Sequence, residues 1–143
     1  MTVDDRELTD LLHARGMRVT SQRLLIHRAL REQGGHLTSE QVHAIVSPRL
    51  PGVSQQTVYS ALALLTELGV ARRVPVPGGS ARFEARVDDH HHTLCERCGA
   101  LDDLDVRVTA TRALDAARAA GFEPHRAALT VLGLCAACAR AER

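Results

Sequence analysis

The sequence contains no lysine and no tryptophan, and its only aromatic residues are Tyr59, Phe83 and Phe122. With so few rings the core has to be aliphatic and alanine-rich, and the place of the lone tyrosine calls for a reason. Long hydrophobic runs are missing too. The longest weakly polar stretch, AALTVLGLCAACA at 127–139, is too short for a bilayer span and contains Gly133, so no membrane partner is expected. No basic segment leading into an apolar one stands at the N-terminus, and a cytoplasmic location is expected. Cysteine is scarce but patterned, four residues in two Cys-x-x-Cys pairs. In a reducing compartment that points to metal ahead of disulfides.

With 143 residues, 45% hydrophobic and 24% charged, the chain suits one domain or two small ones around a real core. The formal net charge is +1, but it is unevenly placed. Residues 15–86 carry ten arginines against four acids, a local +6, whereas residues 88–143 carry seven arginines against nine acids, a local −2. A basic first half points to an anionic partner. Charge alone leaves solvated helix faces open as the alternative.

The first half reads as helices separated by short turns. Leu8, Leu11 and Leu12 form one apolar stripe, and Leu25, Ile26, Ala29 and Leu30 form the next, stopped by Gly34-Gly35. Thr38 and Gln41 stand at capping-box spacing ahead of a short helix with Val42, Ile45 and Val46 inward. Ser54 can cap a helix over 54–68 whose apolar positions, Val58, Ala61, Leu62, Leu65 and Leu68, follow a 3.6-residue period. Two strand-like pieces, 71–76 and 81–87, flank PGGS and make a hairpin signal. The order predicts an α+β protein. A winged helix-turn-helix DNA-binding domain spans 1–87, with its wing at 71–87 and a hinge near 86–90. In the second half, residues 90–105 predict strand, tight turn and strand, residues 106–120 a helix with Val106, Ala110, Ala113, Leu114 and Ala117 on one face, and 127–135 a last strand. They make a small α/β domain over 88–143.

Cys95/Cys98 and Cys135/Cys138 each place two thiolates on one turn, the spacing that presents both to one tetrahedral ion. Four soft ligands suit a closed structural Zn²⁺ site, which adds about 10–16 kcal/mol of apparent binding energy to folding. Spacing alone leaves an iron–sulfur cluster open. A zinc deaminase is excluded by the missing Pro-Cys pair, and a metal-dependent hydrolase finds no general base beside an open zinc position. No enzyme activity and no organic cofactor are expected.

Three consecutive histidines precede the first pair. On a strand, side chains alternate, so His90 and His92 share one face while His91 and Cys95 share the other. The stretch therefore feeds two sites, one of sulfur and one of nitrogen and oxygen. Candidates for the second are Glu84 in the wing, His36 in the turn after Gly34-Gly35, and Asp102 and Asp103. From spacing alone they stay candidates, since a loop histidine is ordinarily solvated.

Five segments in order, GMRVTSQR (16–23), GGHLTSEQV (34–42), VSQQTVYSAL (53–62), RFEARVDDHHHTLCERCG (82–99) and GLCAAC (133–138), resemble the ferric uptake regulator family across roughly residues 8–140. The resemblance implies a dimeric, metal-responsive winged-helix transcriptional regulator, most often a repressor, with 88–143 as the dimerisation domain. It implies structural zinc on Cys95, Cys98, Cys135 and Cys138. It also implies a regulatory metal between the domains on His36, Glu84, His90 and His92, with Asp103 at the place of an acid that completes this site in peroxide-sensing members. Two departures stand out. A further metal site in many members uses a histidine where this chain has Ala127, with His125 two residues away and His91 as a remaining candidate ligand. The residue after the TVY tyrosine, often arginine in iron-responsive members, is Ser60.

Gln55, Gln56 and Tyr59 fall opposite Val58, Leu62 and Leu65 on the 54–68 helix. Glutamine amides pair with adenine edges and an aromatic ring packs on a thymine methyl, although an ordinary polar helix face has the same pattern. Arg18 matches a family position that reaches DNA, and Arg23, Arg72 and Arg73 are candidates for phosphate contacts. A symmetric homodimer then predicts a double-stranded, inverted-repeat operator. Three imidazoles with carboxylates hold Fe²⁺, Mn²⁺, Ni²⁺ or Zn²⁺. The stretch ARFEARVDDHHH resembles the actinobacterial iron- and peroxide-responsive regulators of catalase-peroxidase genes, which favours Fe²⁺ or Mn²⁺ as the regulatory ion. A nickel- or zinc-responsive regulator, or a zinc-stabilised protein that binds DNA constitutively, are the alternatives.

Overall fold

The structure, a computed structural model, describes residues 1–143. The chain divides into two compact units, Met1–Asp88 and Asp89–Arg143. No helix in either is long and apolar enough to cross a membrane.

The first unit contains helices α1 (Asp5–Ala14), α2 (Ser21–Gln33), α3 (Ser39–Val46) and α4 (Gln55–Glu67), then strands β1 (Arg72–Val74) and β2 (Arg82–Glu84). Each helix start is chemically marked. Asp4 with Glu7 and Thr38 with Gln41 form complete capping boxes, and the Thr20 and Ser54 hydroxyls accept from the N–H groups of Arg23 and Thr57. Such caps satisfy backbone donors that the first helical turn leaves unpaired. Asp5 accepts from both Arg28 and Arg31, tying α1 to α2. The Arg28 hydrogen bond, outweighing the opposing effect of burial and helped by the charge of Arg31, holds its carboxyl below the usual carboxylate range.

Leu8, Leu12, Ile26, Leu30, Val42, Val58, Leu62 and Leu65 close the aliphatic core, with Phe83 as its one ring. α3 differs in one respect from the sequence pattern. Val42 and Val46 are buried one turn apart, but Ile45 is exposed. A two-turn helix offers a single inward line, and Ile45 sits on its rim beside Leu25, Arg28 and Arg49. β1 and β2 pair antiparallel as a wing, Arg72 opposite Glu84 and Val74 opposite Arg82. These strands are shorter than expected, because Pro75 and Pro77 remove ladder donors just beyond Val74.

The second unit holds β3 (His91–Cys95), β4 (Leu101–Leu104), α5 (Thr111–Ala119), β5 (Thr130–Gly133) and α6 (Ala136–Ala141). Its sheet order is β4-β3-β5, with β4 antiparallel and β5 parallel to the central strand. The helix expected over 106–120 begins only at Thr111. Val106, Val108 and Thr109 are β-branched and lose rotamer freedom in a helix, and this stretch runs exposed and irregular. The strand expected over 127–135 is limited to the four residues that pair with β3. α6 was not anticipated; six residues are too few to show a period.

Candidate metal centres and nucleic-acid interface

In the first unit, Gly34 ends α2 at φ +62°, a conformation that favours glycine. The chain then turns back, and Leu37 pairs with Phe83 through two backbone bonds of 3.0 and 2.7 Å. This bridge sets the neighbours of Leu37 and Phe83 side by side. His36 Nε2 consequently lies 2.7 Å from Glu84 Oε2, with both side chains nearly shut off from solvent. A loop histidine 48 residues from its carboxylate is thus held by strand pairing, a long-range relation that periodicity does not reveal.

In the second unit, the β3–β4 register puts His92 directly opposite Asp103. One Asp103 oxygen lies 3.3 Å from His90 Nε2 and 3.6 Å from His92 Nε2, and the two rings meet edge-on with centroids 4.7 Å apart. Alternation along β3 gives this shared face. Asp102, the other acid considered, stands opposite Thr93.

The cysteines converge within the second unit. Cys95 ends β3, Cys98 lies in the turn that follows, Cys135 is the N-cap of α6 and Cys138 is in its first turns. Parallel pairing of Cys95 with Gly133 brings the two pairs together, and Gly99 at φ +77° closes the first turn. All four sulfurs lie within 4.8 Å of one another, with Cys98 and Cys135 3.8 Å apart. A tetrahedron of thiolates about 2.3 Å from a zinc ion has edges of about 3.8 Å, so the donor set fits that ion. No disulfide joins them. Backbone N–H groups, that of Cys98 first and then that of Cys135, lower the Cys95 thiol to about 6. Cys138 is pushed up to about 12, chiefly by its hydrogen bond with Cys135 and then by burial. The cluster thus has one member that gives up its proton readily, and the others follow when a cation offsets their mutual repulsion.

The ferric uptake regulator family model matches residues 14–132, most of the chain and both units. The chain belongs to the ferric uptake regulator family. Among relatives, it is 40% identical over 121 residues to ferric uptake regulation protein 1 of Mycolicibacterium fortuitum, covering 84% of this chain and 74% of that protein. It is 35% identical over 133 residues to the transcriptional regulator FurA of Mycobacterium tuberculosis, covering 92% and 90%. The solved ferric uptake regulator of Helicobacter pylori superposes with a TM-score of 0.77 over 94% of this chain and 90% of that one, at 18% identity. That likeness shows the fold, a winged-helix domain followed by a small sheet domain.

Within this family fold, α4 is the helix that precedes the wing. Gln55, Gln56 and Tyr59 are exposed on it, and Val58, Leu62 and Leu65 are buried. Tyr59 rests edge-on against Phe83, centroids 6.3 Å apart, so a core ring steadies the exposed one. Gln56 donates to Ser60 Oγ at 3.3 Å. The arginines fall into two groups. Arg18 and Arg73 are exposed. Arg23 donates to the Arg18 carbonyl and shapes that loop, while Arg72 is half-buried opposite Glu84. His27, which sequence pattern did not single out, is fully buried in α2, its Nε2 3.1 Å from the Val70 carbonyl.

Proposed function

We propose that this member of the family is a metal-dependent transcriptional regulator that binds an inverted-repeat operator as a homodimer and senses Fe²⁺ and peroxide. The observation that carries the reading is a pair of incomplete donor sets. His36 and Glu84 face each other in the first unit, and His90, His92 and Asp103 face each other in the second. His90, His92 and Asp103 make a two-histidine, one-carboxylate set that leaves coordination positions open on an ion, and His36 with Glu84 would fill them. Together they supply three imidazoles and two carboxylates, an uncharged-nitrogen and oxygen shell suited to Fe²⁺ or Mn²⁺. The cysteine cluster would hold a separate zinc ion for stability.

On this reading His36 and Glu84 hold one side of the regulatory ion from the DNA-binding unit, and His90, His92 and Asp103 hold the other from the second unit. Ligation fixes one domain orientation, and α4 then presents Gln55, Gln56 and Tyr59 to base edges while Arg18 and Arg73 meet phosphates. Iron, when bound, supplies the chemistry with peroxide, and the three imidazoles are the side chains beside it. Support for a dimer comes from the second unit's surface. Val106, Val108, Phe122, Leu129, Val131, Leu132 and Leu134 are all exposed there, and apolar exposure of that density marks a protein–protein surface.

The test is operator binding by zinc-loaded protein, titrated anaerobically with Fe²⁺ or Mn²⁺ and then with peroxide. Both metals should promote binding, and peroxide should abolish only the Fe²⁺ form. Binding indifferent to both metals would overturn the regulatory reading and leave a zinc-stabilised constitutive binder or a nickel- or zinc-responsive one, which the same assay with those ions separates.

A further inference from the structure

We propose that the open cavity of about 560 Å³ at the start of α5 binds a small oxyanion, of phosphate or carboxylate type, through Arg107 and Arg126. The cavity lies wholly within the second unit, and neither metal group contributes a side chain to it. Three separate segments build its wall. Arg107 and Thr111 come from the stretch leading into α5, His125 and Arg126 from the approach to β5, and His91 from β3.

The wall's donors stand beside apolar Val106, Val108, Leu114 and Ala127, the two valines belonging also to the exposed apolar surface of this unit. Arg107 and Arg126 are exposed, and neither is tied to a carboxylate of this chain. The N-cap of α5 is Ala110, and no side chain caps the helix. The first-turn N–H groups of a nine-residue helix therefore stand at the cavity without a side-chain acceptor, with the positive end of the helix dipole behind them. All four helices of the first unit have such an acceptor: Asp4, Thr20, Thr38 and Ser54. Asp89 is the single acid on the wall, and it already has an interaction partner.

His91 decides between an anion and a cation here. Its Nδ1 accepts the Leu129 N–H at 3.1 Å. In a neutral imidazole one nitrogen accepts and the other carries the proton, so Nε2 is an N–H donor. A metal ligand through Nε2 needs Nδ1 protonated, which would set two hydrogens against each other at the Leu129 amide. Nor do His91, His125 and Asp89 form a three-donor group. Two guanidiniums, an imidazole N–H, a hydroxyl and an open helix N-terminus are the donor chemistry for phosphate or carboxylate oxygens.

This inference stands independently of the regulatory metal. Its test is ¹⁵N–¹H NMR of the zinc-loaded full-length protein, titrated with sodium phosphate, with citrate, and with sodium chloride at matched ionic strength. Phosphate or citrate should produce saturable shifts at the Thr109, Thr111 and Arg112 amides that chloride does not, and the stronger of the two identifies the ligand class. In the Arg107→Gln/Arg126→Gln variant these shifts should require at least tenfold more anion, with the rest of the spectrum unchanged. Arg126→Gln alone should give an intermediate loss, which guards against a misfolded double variant. Chloride shifts equal to those of both anions, or an unaltered titration in the variants, would each overturn the proposal.

Discussion

His27 is a titratable side chain that the donor sets do not use. It is fully buried, its Nδ1 has no hydrogen-bond partner, and burial, ahead of the opposing bond to the Val70 carbonyl, holds its pKa below the ordinary 6.5. The fold therefore contains neutral imidazole. The unfolded chain takes up a proton first as pH falls, so His27 contributes stability that is full above about pH 6.5 and is lost as pH drops toward the folded-state value. Urea midpoints at pH 7.5 and 5.5 should fall more steeply for the native protein than for His27→Gln, which itself should cost about 1–3 kcal/mol at pH 7.5 through the disturbed Val70 bond. Equal slopes would remove His27 from the pH response. His92 belongs to the other class of residue. His92→Ala leaves the cysteine cluster untouched but removes the donor directly opposite Asp103. Metal-dependent operator binding should vanish while one zinc per chain remains by elemental analysis; operator binding like that of the native protein, with or without added metal, would sink the role given to this residue. The contrast shows which residues a sequence discloses. Cysteine pairs and the H-x-H stretch declare themselves because their chemistry is set by local spacing. His27 stays hidden because its environment comes from a carbonyl 43 positions away.

At the scale of elements, caps and apolar periods were readable and pairings were not. Thr38, Gln41 and Ser54 mark helix starts within four residues of sequence, and the structure has those helices where the caps are. The Leu37–Phe83 bridge, the parallel β3–β5 pair and the late start of α5 depend on distant partners or on competing β-branched preferences, and no local pattern contains them. The bridge matters most, because it holds His36 against Glu84. Phe83 joins the core, carries that bridge and supports Tyr59 at once. Truncation to Phe83→Ala should cost about 3–5 kcal/mol of stability, as for buried rings generally. It should also weaken regulatory-metal binding in protein that is still folded, because the strand position of Glu84 loosens. Phe83→Leu, which keeps most of the volume, should restore stability more fully than it restores operator affinity, since only the ring steadies Tyr59. Thermal melts and operator titrations on the two variants separate these effects.

At the scale of the molecule, the central issue is energetic coupling between two compact units that meet in sequence at Asp88 and Asp89. If the regulatory ion takes donors from both, its binding and DNA binding favour one domain orientation, and linkage makes the effect reciprocal. Whatever factor by which Mn²⁺ tightens operator binding, operator DNA must tighten Mn²⁺ binding by the same factor, about 5–150-fold for a coupling of about 1–3 kcal/mol. Mn²⁺ is the useful probe because it reports binding without peroxide chemistry. Two titrations close the cycle: operator affinity at zero and saturating Mn²⁺, and Mn²⁺ affinity with and without operator. Glu84→Ala should abolish both factors together, since it removes a donor from the DNA-binding unit while leaving His90, His92 and Asp103 in place. Mn²⁺ binding to the native protein with no coupling to operator DNA, or coupling that survives in Glu84→Ala, would overturn the bridging role of His36 and Glu84. Equal factors in the native protein, lost together in the variant, are the signature of one ion shared by two units.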